Sequence, residues 1–223
     1  MDFDRALVIA PHPDDDVLGV GGLMKKLTAS GCKVAVLTVS GHLPPLYSEK
    51  DFAITVEEAE RAHGLLGVDH CEYLKIPATH IGNVPISELN KKVVGVVNDF
   101  KPSLVFCPYP DRHIDHRLVF DAAMVATRPV GRGANIKLLA AYETLSETHW
   151  NAPHIESNFV PNWVVDITST IEIKKQALSC FRSQISPFPG PRSIEAVGAL
   201  AVFRGTQSGF AYGEGLHIIR MIS

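Results

Sequence analysis

Apolar and polar positions alternate in blocks along the chain, and their spacing predicts strands and helices in turn. Short continuous apolar runs, such as residues 6–10, are typical of strands that are buried on both faces. The predicted strands are residues 6–10, 33–39, 71–76, 104–107, 137–142, 163–167 and 216–219. Longer stretches with a period of 3.6 residues predict helices at 17–29, 55–66, 86–100, 117–127, 168–184 and 193–204.

Helix-terminating residues support this order. Gly31, Gly67 and Pro102 follow the first three predicted helices, where chains commonly leave a helix. Strands that alternate with helices form right-handed βαβ units, so the pattern predicts an α/β fold with a mostly parallel sheet covered on both faces. The polar loops 41–52 and 80–84 are expected to form the rim of a crevice at the strand ends.

Composition narrows the class of protein. The chain has 223 residues, of which 46% are apolar, and a net charge of -3. This suits one domain over residues 1–223 and gives no basic surface for nucleic acid or an anionic membrane. No apolar run reaches the ~18 residues of a membrane span, and the N-terminus lacks a signal-peptide pattern. Four widely spaced cysteines favour free thiols and a cytoplasmic location.

The first polar cluster directly follows the first predicted strand. Residues 11–16 read Pro-His-Pro-Asp-Asp-Asp, so one histidine and three carboxylates lie where a strand ends and a helix begins. The carboxyl ends of strands in α/β sheets are where these folds bind ligands. Taken alone, the cluster is equally typical of a turn with a helix cap, because aspartate is a preferred N-cap.

A second cluster follows the predicted strand 104–107. Residues 108–116 read Pro-Tyr-Pro-Asp-Arg-His-Ile-Asp-His, ahead of another helix. If the two strands are neighbours, the side chains that converge on one crevice are His12, Asp14, Asp15, His113, Asp115 and His116. Imidazole and carboxylate ligands with one open position describe a catalytic zinc site, which iron or cobalt would also fit. Magnesium is less suited, because it prefers an all-oxygen shell.

Other interpretations of these residues are weaker. Without the histidines, Asp14 and Asp15 would suit a phosphoryl-transfer enzyme that uses magnesium. Gly19, Gly21 and Gly22 come after the acids and do not form the GxGxxG pattern, so dinucleotide binding is rejected. Most of the remaining histidines are expected on the surface or in loops; they are His42, His63, His70, His80, His149, His154 and His217.

The two clusters resemble the motifs of the PIG-L/LmbE family of zinc-dependent N-deacetylases. The first motif of that family is usually Ala-His-Pro-Asp-Asp-Glu, and the second, His-Pro-Asp-His, is here His113-Ile-Asp-His116. The resemblance extends over nearly the whole chain and implies a single Rossmann-like three-layer domain. It also implies an N-acetylated sugar of the N-acetylglucosamine type as substrate, and relatives that often form homo-oligomers.

By motif position, the resemblance implies Zn²⁺ bound by His12, Asp15 and His116. Asp14 would be the general base, and His113, oriented by Asp115, the general acid or oxyanion stabiliser. The residues alone do not separate the roles of Asp14 and Asp15.

The chain departs from the family pattern at two places. Asp16 replaces the usual glutamate, and Thr55 and Val56 stand where many relatives have a substrate-binding arginine. Arg192 is a candidate replacement for that cationic contact, and an exposed loop arginine is the equally weighted alternative. Tyr47 and Trp150 are candidates to line the crevice, although each could serve only in packing.

The sequence is therefore compatible with three functions. The leading one is hydrolysis of the N-acetyl group of an amino sugar or its conjugate. The alternatives are a metal-dependent amidase that acts on another glycoside or natural product, and a catalytically disabled protein that binds metal or sugar.

Overall fold

The computed structural model describes residues 4–222, in which seven strands form one sheet. The strands are β1 (Arg5–Ala10), β2 (Lys33–Gly41), β3 (His70–Pro77), β4 (Leu104–Pro108), β5 (Leu138–Tyr142), β6 (Trp163–Asp166) and β7 (Gly213–Met221). The helices are α1 (Asp15–Ala29), α2 (Glu49–Leu66), α3 (Ile86–Phe100), α4 (Ile114–Ala126), α5 (Ile171–Leu178) and α6 (Ile194–Thr206). Short 3-10 turns occur at Ile81–Asn83, Gly131–Asn135 and Thr148–Trp150.

The sheet has the order β3-β2-β1-β4-β5-β7-β6. Its first five strands are parallel, and β7 is antiparallel to both of its neighbours. One buried apolar cluster packs α1, α2, α5 and α6 on one face, and a second packs α3 and α4 on the other. The predicted α/β class, the mostly parallel sheet and its three layers are confirmed.

The order of the strands determines where a ligand can bind. After β3 the chain returns to the opposite side of β1 and continues with β4, so β1 and β4 are parallel neighbours whose crossover helices lie on opposite faces. The loops that leave these two strands therefore separate, and a crevice opens at their carboxyl ends.

Several element boundaries differ from the sequence-based predictions, including the start of α4 at Ile114 rather than residue 117. α2 begins at Glu49 rather than residue 55, because Ser48 and Asp51 form a reciprocal capping box. The predicted helix 168–184 contains only α5, which ends at Leu178. The closing strand is β7, which is longer than residues 216–219. Within residues 4–222, no helix combines the length and apolarity needed to cross a bilayer.

α1 is interrupted at Val20, whose φ of -135° and ψ of 22° are not helical. The backbone groups freed near this kink bind a buried ion pair from the end of the chain. Glu214 accepts hydrogen bonds from the amides of Gly22 and Leu23 at 2.8 and 2.7 Å. Lys174 Nζ donates to Glu214 Oε1 at 2.6 Å and to the carbonyl of Leu18 at 2.8 Å. The pair thus holds α1, which follows the first polar cluster, in place.

Glycines of α1 permit close packing. A Cβ at Gly19 would collide with the ring of Tyr142, and one at Gly22 would lie 2.7 Å from Ile167. These glycines therefore serve helix–sheet contact, which agrees with the rejection of a dinucleotide-binding loop.

Candidate active site

The two polar clusters meet in one crevice at the carboxyl ends of β1 and β4. The first cluster follows β1, and the second runs from the end of β4 into the first turn of α4. The crevice has a volume of about 200 Å³. Its lining residues are His12, Asp14, His42, Tyr47, Ala78, Thr79, His113, Glu147, Gln184 and Arg192.

Three side chains converge at the bottom of this crevice. Asp15 Oδ2 lies 3.2 Å from His12 Nδ1 and 3.3 Å from His116 Nε2. Ligand atoms about 2.0–2.2 Å from a tetrahedral zinc lie roughly 3.3–3.6 Å from one another. Both separations from Asp15 Oδ2 therefore fit ligands that share a divalent metal.

Unpaired polar atoms at the same place support the fit. His116 Nε2 and Asp15 Oδ1 are buried and form no hydrogen bond with any of residues 4–222. Leaving such atoms unpaired costs about 1–3 kcal/mol each, and more for a charged group. A cation bound at the crevice bottom would satisfy His116 Nε2 and would neutralise the charge of the Asp15 carboxylate.

In His12 and His116, the ring nitrogen that does not face Asp15 is hydrogen-bonded to a carboxylate. His12 Nε2 bonds Asp115 Oδ2 at 2.9 Å, and His116 Nδ1 bonds Asp111 Oδ2 at 3.0 Å. Such partners fix ring orientation and raise the basicity of a metal-binding histidine. Asp111 also accepts from Thr148 Oγ1 at 2.9 Å, so it is itself held in place. Sequence reasoning did not assign a role to Asp111, although it lies within the second cluster.

Replacing Asp111 by asparagine is expected to weaken metal binding about 10- to 100-fold, because the amide cannot accept a charge-assisted hydrogen bond from His116. Metal titration with a competing chelator measures the effect. Asp99→Asn, at an exposed position of α3, is the matched control and should bind as the wild type does. Equal affinity in the Asp111 variant would show that this carboxylate is not needed to orient His116.

His113 forms the N-cap of α4. Its Nδ1 accepts from the backbone amide of Asp115 at 3.1 Å, so in a neutral ring the proton is on Nε2. Burial and the neighbouring His12 and His116 lower the pKa of His113 to about 4. The carboxylate of Asp115 bonds His12 and the amide of Thr79 instead of the His113 ring. The contact by which Asp115 orients the His113 ring is therefore its backbone amide.

His113 also completes a second possible ligand set. Ring nitrogens of His12, His113 and His116 lie within 4.8 Å of one another. The geometry thus offers His113 or Asp15 as the third ligand, while His12 and His116 belong to both sets.

Asp14 directs its carboxylate into the crevice rather than onto a helix end. It is the N-cap of α1, yet its side chain makes no capping hydrogen bond, and its φ of 102° is unusual for a residue other than glycine. Burial raises the pKa of Asp14 to about 7; the nearby Arg192 opposes this rise and Asp15 adds to it. The simple capping interpretation of the first cluster is therefore wrong for Asp14, and strained backbone of this kind commonly occurs at functional sites.

The three candidate substrate contacts lie in different surroundings. Arg192 Nε is 3.4 Å from Asp14 Oδ2 and 3.2 Å from Ser146 Oγ, so it lines the crevice. Tyr47 lines it as well and packs against His42, with ring centroids 4.4 Å apart. Trp150 is 59% exposed, stacks near Arg112 and does not line the crevice.

A further acid in the crevice, Glu147, was not predicted. Its Oε2 lies 3.3 Å from Arg112 Nε but forms no hydrogen bond within the described part of the chain. Burial raises the pKa of Glu147, against the attraction of Arg112. It lies in the polar segment after β5, where no local pattern marks a functional residue.

Asp16 points away from the crevice and pairs with His63 of α2. Its Oδ2 is 2.7 Å from His63 Nε2, and both side chains are buried. Burial alone would lower the pKa of His63, but the Asp16 charge outweighs it and raises the pKa to about 10. A surface or loop role for His63 is therefore wrong, and the shorter acid at position 16 reaches a partner on α2.

This pair predicts a pH-dependent contribution to stability. Because the pKa of His63 rises from 6.5 to about 10 on folding, the contribution is complete below pH 6.5 and is lost as pH rises towards 10. Denaturant unfolding at pH 6 and pH 10 measures the change in the free energy of unfolding. Between these two pH values, the wild type should lose up to a few kcal/mol more of this free energy than the Asp16→Asn, His63→Gln double variant. Parallel losses in the two proteins would mean that His63 is neutral in the folded state.

Comparison with known proteins agrees with the sequence motifs. The model of the PIG-L family, described as GlcNAc-PI de-N-acetylase, matches residues 7–127. Diacetylchitobiose deacetylase of Thermococcus kodakarensis is 29% identical over 234 aligned residues, covering 98% of this chain and 84% of the relative. The 1D-myo-inositol 2-acetamido-2-deoxy-alpha-D-glucopyranoside deacetylase of Rhodococcus jostii is 23% identical, with 83% of each chain covered.

A solved structure shows the same architecture. The N,N'-diacetylchitobiose deacetylase from Pyrococcus horikoshii matches with a TM-score of 0.78 at 28% identity, covering 98% of this chain and 84% of that one.

Proposed function

The chain belongs to the PIG-L family, and on this premise we propose that it removes the acetyl group from an N-acetylated amino sugar or its conjugate, of the N-acetylglucosamine type. The observation that carries the proposal is the convergence of His12, Asp15 and His116 beside the unbonded carboxylate oxygen of Asp14. The named activities of the relatives, which are deacetylations of N-acetylated sugars, support the substrate class.

His12, Asp15 and His116 are proposed to hold the metal, with Zn²⁺ as the first choice because of its preference for imidazole with carboxylate. When bound, the metal would lower the pKa of water to about 7 and polarise the acetamide carbonyl. Iron or cobalt would fit the same donor atoms.

Asp14 is proposed as the general base. It lines the crevice beside the ligands, and its Oδ2 forms no hydrogen bond, although the charge of Arg192 Nε lies 3.4 Å away. Asp14 takes a proton from water as the water oxygen attacks the acetyl carbon, and returns it to the amine nitrogen as the C–N bond breaks. The products are acetate and a free amine, and Asp14 ends ionised as it began.

His113 is proposed to stabilise the negative charge that develops on the acetyl oxygen. Because Nδ1 accepts from a backbone amide, the Nε2–H of a neutral ring is available as a donor. A neutral donor suffices for this role, which preorganised hydrogen bonds perform in many acyl-transfer sites.

Arg192, Tyr47 and Glu147 are proposed to contact the hydroxyl groups of the sugar, because all three line the same crevice. Trp150 is assigned to the rim and is not among these contacts.

We propose a cytoplasmic location, which the four free cysteines support. A homo-oligomer is proposed as well, on the basis of the family resemblance.

The decisive experiment measures acetate and free amine released by the zinc-loaded protein from a panel of N-acetylglucosamine, its disaccharide and its inositol and malate conjugates. We expect equal amounts of both products from at least one member. Release from other acetamides alone would favour a general amidase. Tight zinc binding without hydrolysis of any amide would instead identify a binding protein and overturn the proposal.

A further inference from the structure

We propose that the crevice extends into a second cavity, which binds the group attached to the amino sugar and selects a neutral, hydroxyl-rich group over an anionic one. This inference rests on the proposed deacetylation and concerns the part of the substrate that the reaction leaves unchanged. None of the proposed catalytic or metal-binding residues lines this cavity.

The second cavity is continuous with the crevice. It has a volume of about 280 Å³, and three residues, His42, Tyr47 and Gln184, line both spaces. Sites for small organic ligands usually measure about 300–1,000 Å³. The crevice alone, at about 200 Å³, is smaller than this, whereas the two spaces together fall within the range. A substrate larger than one sugar would therefore occupy both.

Hydrogen bonds fix two parts of the cavity wall. Buried Glu58 of α2 accepts from the amide of Ser183 at 3.0 Å and from its hydroxyl at 2.6 Å, so it holds the segment that contains Gln184. In the first turn of α2, Asp51 Oδ2 accepts from the amide and the hydroxyl of Ser48, both at 2.8 Å. The cavity is thus preformed, as ligand sites usually are.

The lining of the second cavity offers an aromatic ring and uncharged hydrogen-bonding groups. Tyr47 is 43% exposed and packs against His42, with ring centroids 4.4 Å apart. A tyrosine presents an apolar body and a polar tip, which suit the C–H faces and the hydroxyls of a sugar ring. Gln184 donates to Ser183 Oγ at 2.9 Å, and both residues line the cavity. These amide and hydroxyl groups are suitable partners for the hydroxyls of a ligand.

Asp51 gives the second cavity a negative charge. Hydrogen bonds from the amide and the hydroxyl of Ser48 lower the pKa of Asp51, so its carboxylate is ionised at neutral pH. Within residues 4–222, no lysine or arginine is among the residues that line this cavity. A ligand carboxylate about 4 Å from this charge would bind about fivefold more weakly in water-like surroundings. A dicarboxylic acid attached to the sugar is therefore disfavoured, and a second sugar or a cyclic polyol is favoured.

Acetate release from N-acetylglucosamine and from its disaccharide, inositol and malate conjugates tests the extent of the site. We expect kcat/KM for the disaccharide and the inositol conjugate to exceed that for the monosaccharide by at least about tenfold, because contacts with a remote part of a substrate lower the reaction barrier. Ile54→Trp enlarges a side chain of the cavity lining and should bring the ratio of disaccharide to monosaccharide close to one. Ile86→Trp, at an exposed position of α3, is the matched control and should keep the wild-type ratio.

The same substrates test the selection by charge. Wild-type kcat/KM should be lower for the malate conjugate than for the inositol conjugate, and Asp51→Asn should narrow this difference about fivefold. Asp121→Asn, at an exposed position of α4, should leave it unchanged.

The outcomes separate this inference from the proposed function. Equal wild-type kcat/KM for the monosaccharide and the disaccharide would overturn the second cavity as part of the site, and so would an unchanged ratio in Ile54→Trp. A wild-type preference for the malate conjugate would overturn the selection by charge, even if the Asp51 variant fails to fold. If none of the substrates releases acetate, the deacetylation itself is overturned, and this inference with it.

Discussion

Asp14→Asn is expected to lower the rate of acetate release by about 100- to 10,000-fold, the usual contribution of a general base, without loss of metal. Asparagine has nearly the same volume as aspartate but cannot take a proton from water. It also tolerates the positive φ of 102° at this position, so the start of α1 should keep its geometry. Metal content and the acetate release rate, measured on the same preparation, report the two effects separately.

The control for this variant is Asp121→Asn, which makes the same chemical change at an exposed position of α4. It should leave both the rate and the metal content unchanged. A near-normal rate in the Asp14 variant would remove Asp14 from the role of base, and loss of metal would place it among the ligands.

His116→Ala is expected to abolish stoichiometric metal binding, since His116 belongs to both ligand sets that the geometry offers. His113→Ala separates the two sets. If Asp15 is the third ligand, that variant keeps its metal and loses only turnover; if the three histidines bind the ion, it loses the metal too. We expect the first result, because the spacing around Asp15 Oδ2 is that of a tetrahedral zinc site.

Metal analysis after extensive dialysis gives the readout, and His154→Ala, in an exposed loop, is the matched control. Circular dichroism and gel filtration establish that each variant is folded. Full metal content in a folded His116 variant would contradict its role as a ligand.

The parts of the fold that depend on local pattern could be predicted from the sequence. Continuous apolar runs predicted the positions of β1 and β4, and the βαβ alternation predicted a mostly parallel sheet. The pairing of β1 with β4 was only assumed from the sequence, and the structure shows it. That pairing brought His12 and His116 together, because each follows one of the two strands. The family resemblance is confirmed by the match over residues 7–127.

The features that were missed depend on contacts between distant residues. His63 lies 47 positions from Asp16, and nothing in its own surroundings in the sequence distinguishes it from a surface histidine. Glu147 enters the crevice from an irregular segment without periodicity. The carboxylate of Asp115 binds His12, while its backbone amide donates to the His113 ring. Such pairings are set by the three-dimensional arrangement and leave no local signal.

The ion pair of Lys174 and Glu214 has a consequence for the order in which the crevice forms. All of the proposed metal ligands lie within the first 116 residues, yet α1 is held at its kink by side chains from α5 and β7. During synthesis from the N-terminus, the ligands would emerge well before the residues that fix the helix following them. Until Glu214 is made, the amides of Gly22 and Leu23 lack their native acceptor. The metal-binding residues therefore come early in the sequence, yet their site is among the last parts of the protein to reach its native contacts.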